Sequence, residues 1–271
     1  MAKISRNELG LFNKKVVHYR ETIDAILKDE QEAVVVLKGK GPEAAIKRLE
    51  MADTMLNLAS NYLVISGVSQ AVQNQRFEDS LNDARKALYK SIIYVEETVS
   101  SLVDVPFSDY EERLWDIESI GPAQRYLLVR KMGLGIHLLK SAYGDNSKWK
   151  WGFADLEGRH AVVAKNLVNL RDVMVNIDPR SPNYEPVTLH LRLVRKLLMQ
   201  SADRYREKYE LSTNSLEDFK KGISYLSALK LLNLLTGVRD EAAVAEKKLK
   251  IWTTKLTADM NRAEKTTTAK G

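Results

Sequence analysis

An all-α fold, a multi-helix bundle of about eight or nine helices with long antiparallel members, is expected from three features of the chain. Apolar residues recur at spacings of three and four almost everywhere, the period of a helix with one covered face. No segment longer than a few residues alternates strictly between apolar and polar, as a half-buried strand would. The 271 residues include 13 Gly and only 6 Pro, few for a loop-rich all-β domain of this size.

The first helix is expected at Ser5, because Ser5 and Glu8 form the S-x-x-E pattern that satisfies the first free amides of a helix reciprocally. Leu9, Phe12, Val16, Tyr19, Ile23 and Ile26 then trace a narrow seam at the coiled-coil period. The seam breaks at Glu30, too soon for a self-standing coiled coil, so packing inside a bundle is preferred to an intermolecular zipper. Gly39-Lys40-Gly41-Pro42 stops the helix, and Pro42 suits the first turn of the next, where its missing amide costs nothing. That second helix runs to about Asn74, with Asn and Ser instead of charge on its far side, so it is expected to be covered on most sides.

A third helix spans Glu78 to Val103 and ends at Asp104-Val105-Pro106. Ser108 and Glu111 repeat the capping pattern ahead of a short helix holding Leu114, Trp115 and Ile117. After Gly121-Pro122, a fifth helix covers Ala123 to Tyr143; Gly133 and Gly135 inside it each cost close to 1 kcal/mol of helix propensity and mark a close crossing or a kink. A phosphate loop would need more glycines after a strand, and no strand precedes them. Turn residues 144–147 lead into Lys148-Trp149-Lys150-Trp151 and a sixth helix reaching Ile177.

Residues 178–186 carry three of the six prolines and cannot be helical throughout. They read as a connector between an N-terminal bundle, 1–177, and C-terminal helices, 187–265, packed on it. The C-terminal helices run to about Tyr209, from Asn214 or Ser215 to Leu235, and from Asp240 to Ala263; residues 266–271 are expected to be a disordered tail.

Composition narrows the classes. Hydrophobic residues at 44% and charged residues at 29% fit a soluble globular protein. The absence of cysteine removes disulfide frameworks, thiolate metal sites and cysteine nucleophiles together. Lys and Arg total 42 against 36 Asp and Glu. That makes a basic protein, but most of its cations have acidic sequence neighbours, so solvated faces are expected and not a phosphate-tracking stripe. The N-terminus has no apolar core of a secretory signal, and cytoplasmic residence is expected. The uncharged stretch from Thr54 to Gln75 is long enough to span a bilayer but carries Asn57, Ser60, Asn61, Ser66, Ser69 and Gln70, costly in hydrocarbon, so no transmembrane segment is expected.

Candidate sites are few. A di-metal carboxylate site in a bundle takes two Glu-x-x-His pairs. Glu157 and His160 supply one, while His18, His137 and His190 have Lys15, Leu134 and Val187 three residues earlier. Glu157 and His160 are therefore weak metal candidates, set against an ordinary ion pair near a helix start, and no metal or other cofactor is expected. No G-x-S-x-G elbow is present. Trp149 and Trp151, interleaved with lysines, have the chemistry of a single-strand stacking platform or, alternatively, of an anchor with one indole on the core. Arg192, Arg195 and Lys196 lie near one helix face as a short basic patch. In the last helix Lys248, Trp252 and Lys255 form the strongest interaction candidate, since Trp buries much area for few rotors, although packing of this helix onto its own bundle is preferred.

These readings point to a non-enzymatic helical scaffold or adaptor, acting on a protein partner or a second copy of itself. The alternatives are a nucleic-acid-associated protein using the Trp/Lys loop and the basic face, and a bundle enzyme or cofactor or metal carrier.

Overall fold

The computed structural model describes residues 5–144 and 149–268, with side chains to residue 263. Among them are ten α-helices, nine of at least seven residues, and no strand.

Helix α1 (Arg6–Leu37) opens on the expected capping box: the Glu8 amide donates to Ser5 Oγ at 3.2 Å, and the Ser5 amide to Glu8 Oε2 at 2.7 Å. Its seam turns inward from Phe12 on, burying Phe12, Val16, Ile23 and Ile26 against α2 (Pro42–Gln73), with Tyr19 partly buried, while Leu9, its expected first member, is exposed. Pro42 occupies the first turn of α2, and Gly41 before it has φ +83°, a conformation suited to glycine. Helix α3 (Glu78–Thr98) returns antiparallel to α2. Ser91 Oγ donates to the Ala52 carbonyl at 2.7 Å and Ser80 Oγ to that of Tyr62 at 2.7 Å, so both buried hydroxyls are satisfied along the crossing.

After a 3₁₀ turn at Phe107–Asp109 and α4 (Glu111–Trp115), helix α5 (Pro122–Tyr143) lies on α2 and α3. Helix α6 (Lys150–Asn166) packs against α3, α5 and α8 (Tyr184–Lys208), so it is surrounded. A short α7 (Leu170–Asn176) precedes α8. A π turn at Tyr209–Thr213 leads from α8 to α9 (Leu216–Leu235), and α10 (Arg239–Thr268) packs back on α9. One continuous buried cluster runs from Phe12 in α1 to Trp252 in α10. Residues on either side of 178–186 therefore share a core.

Several boundaries differ from expectation. The third helix ends at Thr98, not Val103. The sixth breaks after Asn166, whose buried amide donates to the Ser100 and Leu102 carbonyls at 2.9 and 3.1 Å, and Asn169 then caps α7 by accepting from the Arg171 amide at 2.9 Å. Ser108 makes no capping box; its hydroxyl goes to Asp109 at 2.9 Å. The proline-rich connector stops at Asn183, since Pro186 falls in the first turn of α8, where it costs no helical hydrogen bond. Of the expected disordered tail, residues 266–268 belong to α10, and 269–271 lie outside the described residues. No helix among the described residues is long and apolar enough to cross a membrane.

Candidate functional site

The centre of the molecule explains its odd glycines. A side chain at Gly135 would come within 2.8 Å of the Leu88 side chain, and one at Gly133 within 3.2 Å of the His160 ring. Both therefore serve a close crossing, which sets α5 down onto α3 and α6, and α5 runs through them unbroken. Gly158 does the same on the opposite side of α6, where a Cβ would lie 2.7 Å from Tyr225 Oη and 2.8 Å from the Tyr205 ring. Those tyrosines stack at 5.5 Å with a 14° tilt, and Asp155 accepts from Tyr205 at 3.4 Å and from Tyr89 at 3.3 Å.

Glu157 and His160 do not share a ligand. The buried His160 ring is tied through Nε2 to the Val129 carbonyl at 2.9 Å, and burial pushes its pKa down to about 4. His190 is held the same way on the Ala164 carbonyl at 3.0 Å, also with its pKa pushed down to about 4 by burial. A neutral ring bound to a carbonyl offers that nitrogen as a donor, not as a metal ligand. Glu157 instead meets Lys140 and, at 3.8 Å, Arg204. Among the described residues no group of three or more His, Asp or Glu is arranged to hold a metal.

Above this floor, α5 and α8 stand apart as the walls of an open cleft of about 600 Å³. Its apolar lining comes from Val129, Ile136, Leu193 and Leu197, and its charged lining from seven residues on all three helices. At one end the charges cancel: Lys140 and Arg204 hold Glu157, and Arg204 also bonds Glu207 at 2.9 Å. Asp203 is drawn away to Lys248 of α10 at 2.5 Å. Toward the other end, Arg130 of α5 and Lys196 of α8 line the opposite walls with no carboxylate partner among the described residues; the Arg130 guanidinium lies 5.5 Å from the Tyr126 ring.

The remaining sequence candidates are dispersed. Trp149 packs beside Tyr143, with the Arg85 guanidinium 4.2 Å from its ring, so it is an anchor; Trp151 is half-buried under Lys150 at 4.8 Å, and Lys148 lies outside the described residues. The basic patch splits. Arg195 turns inward to Asn233 at 2.8 Å and Thr236 at 2.7 Å, while Arg192 stays exposed and Lys196 enters the cleft. Trp252 is 2% exposed against Phe219, with Lys248 and Arg206 over its ring at 4.9 and 5.2 Å. Lys255 pairs with Asp259 at 2.9 Å. The helix thus packs on its own bundle, the preferred reading, with this cluster as mortar between α8, α9 and α10.

A second surface was not legible in advance. The second helix is covered less than expected: Asn57, Ser60, Val64, Gly67 and Ala71 form an exposed row along α2 that carries no charge. A Lys131–Asp53 ion pair at 2.7 Å links this row to α5, whose Leu127, Leu134 and Leu138 are also exposed.

Fold and surface together define an all-α bundle with a charged cleft on one side of α5 and, on the other, an uncharged row of α2 joined to α5 by a single ion pair. The chain belongs to the TP0443 family, whose sequence pattern it matches over residues 9–260, from the first turn of α1 well into α10. No curated protein and no solved structure matches it.

Proposed function

We propose that the protein is a non-enzymatic helical scaffold of the cytoplasm that works by protein–protein contact, first of all with a second copy of itself. The observation that carries this is the uncharged row of α2 beside the exposed leucines of α5. In a chain with 29% charged residues, the stretch from Thr54 to Gln75 has none, although its row from Asn57 to Ala71 is open to solvent. Water gains little from such a row, whereas a partner helix does: Ser60, Gly67 and Ala71 are small enough for close approach, and Leu134 and Leu138 add apolar bulk beside them. A two-fold contact places a patch against itself, which a neutral patch tolerates and a charged one resists.

The buried titratable groups support the non-enzymatic part of the reading. His160 and His190 are spent on backbone carbonyls, and Tyr205 and Tyr94 on the carboxylates of Asp155 and Glu30. Nucleic-acid binding has less to stand on, because Trp149 is covered and Arg195 is engaged.

Light scattering over a concentration series tests the proposal. A species of twice the 30.8 kDa chain mass is expected, reverting to 30.8 kDa in Val64→Arg with unchanged helicity. A single 30.8 kDa species at every concentration, or a dimer that survives Val64→Arg, overturns the proposed face.

A further inference from the structure

We infer that the cleft between α5 and α8 binds a small molecule bearing a phosphate group, with Arg130 and Lys196 as its anion clamp. This goes beyond the scaffold reading and rests on a different surface. Three observations carry it. The first is charge: each carboxylate lining the cleft is already held, Glu157 by Lys140 and Arg204, Glu207 by Arg204, and Asp203 by Lys248 from outside, which leaves Arg130 and Lys196 in surplus. Neither has a carboxylate partner among the described residues; Arg130 rests only on the Tyr126 ring, 5.5 Å away. The second is placement. The two cations come from different helices and line one concavity, and Arg192 stands one turn before Lys196 on α8, exposed and with no carboxylate partner among the described residues. Two cations lining one cleft match a dianion, and the planar guanidinium of Arg130 suits two phosphate oxygens at once.

The third observation is shape. A volume of about 600 Å³ is in the range of small-molecule sites, and Ile136, Leu193 and Leu197 give the body of such a ligand an apolar bed beside its anionic head. His137 and Gln200 border the same space and supply further polar contacts. A single-carboxylate ligand would leave one of the two cations unanswered. A flat acidic protein surface would not reach into the concavity.

Calorimetric titration of the full chain with phenyl phosphate and with inorganic phosphate, at ionic strength fixed with chloride, tests this. Saturable binding is expected for both, tighter for phenyl phosphate because its ring uses the apolar bed. Arg130→Gln and Lys196→Gln should each weaken it about 10-fold or more, the typical loss of a charge-assisted hydrogen bond. Lys250→Gln, on the exposed side of α10, should leave it unchanged. Both cations are exposed, so the variants are expected to fold, which circular dichroism confirms. Absence of saturable binding with a Kd of ~1 mM or tighter overturns the assignment. So does binding that survives in the Arg130→Gln/Lys196→Gln double variant.

Discussion

Helices α1 and α6 stand at opposite extremes of the same bundle. Helix α1 is long, shows a clean seam and lies at the edge, packed along α2 and tied to α3 chiefly where Lys90, at 2.5 Å, and Tyr94 meet the buried Glu30. Helix α6 is half that length, carries a glycine at its middle, shows little amphipathic pattern, and is where α3, α5 and α8 converge. Amphipathicity marks a helix that has an outside. A helix enclosed on most sides loses the pattern and carries its constraints as small residues and neutralised polar groups instead.

That contrast breaks most sharply in acid. His160 and His190, one on α6 and one bonded to it, have pKa values pushed down to about 4, so between there and 6.5 the unfolded chain binds more protons than the folded one. Stability should therefore fall as pH drops through this window, by on the order of 3 kcal/mol per histidine once it is crossed. Denaturant titrations at a series of pH values check it, and His160→Gln with His190→Gln should flatten the profile. If α6 unravels no sooner than α1 in amide exchange at pH 4.5, the central role given to it is wrong.

Next in size, Gly158→Ala places a Cβ against Tyr225 Oη and the Tyr205 ring and should cost about 3 kcal/mol, read from thermal or urea unfolding. On α1, Glu30→Gln keeps the shape but weakens the bonds to Lys90 and Tyr94, for a loss of about 1.5 kcal/mol. Val35→Ala, at a residue 83% exposed on the same helix, should fall within about 0.5 kcal/mol of the parent.

The periphery was readable from sequence because its signals are local. The Ser5–Glu8 box, Pro42 in the first turn of α2 and the seam from Leu9 to Ile26, all but Leu9 itself, lie where their spacing puts them. Even the glycines of α5 pointed to a close crossing, though not to Leu88 and His160 as the surfaces met. The break at Asn166 had only the Asn169 cap as a local marker, and what fixes Asn166 itself is a pair of carbonyls more than sixty residues earlier. Nor did Lys165 reveal that it is buried, with Nζ 2.9 Å from Asn166 Oδ1 and its pKa pushed down to about 8 by desolvation. The cleft was hidden for a related reason. Arg130 and His137 on α5, and Lys196 and Gln200 on α8, each repeat at seven- and four-residue steps that any solvated face also shows. Only the adjacency of α5 and α8 turns the two rows into walls.

The indole of Trp252 bears on how much of the chain's end is expendable. It lies two turns before Asp259, which both Lys255 and, at 2.8 Å, Tyr209 hold. Shortening the protein from its C-terminus should cost little until Asp259 goes and a great deal once the indole follows, because Phe219 and the underside of α9 are then stripped bare. The last helix is thus a keystone with a trimmable overhang, and the residue at which trimming becomes intolerable measures how far the core extends.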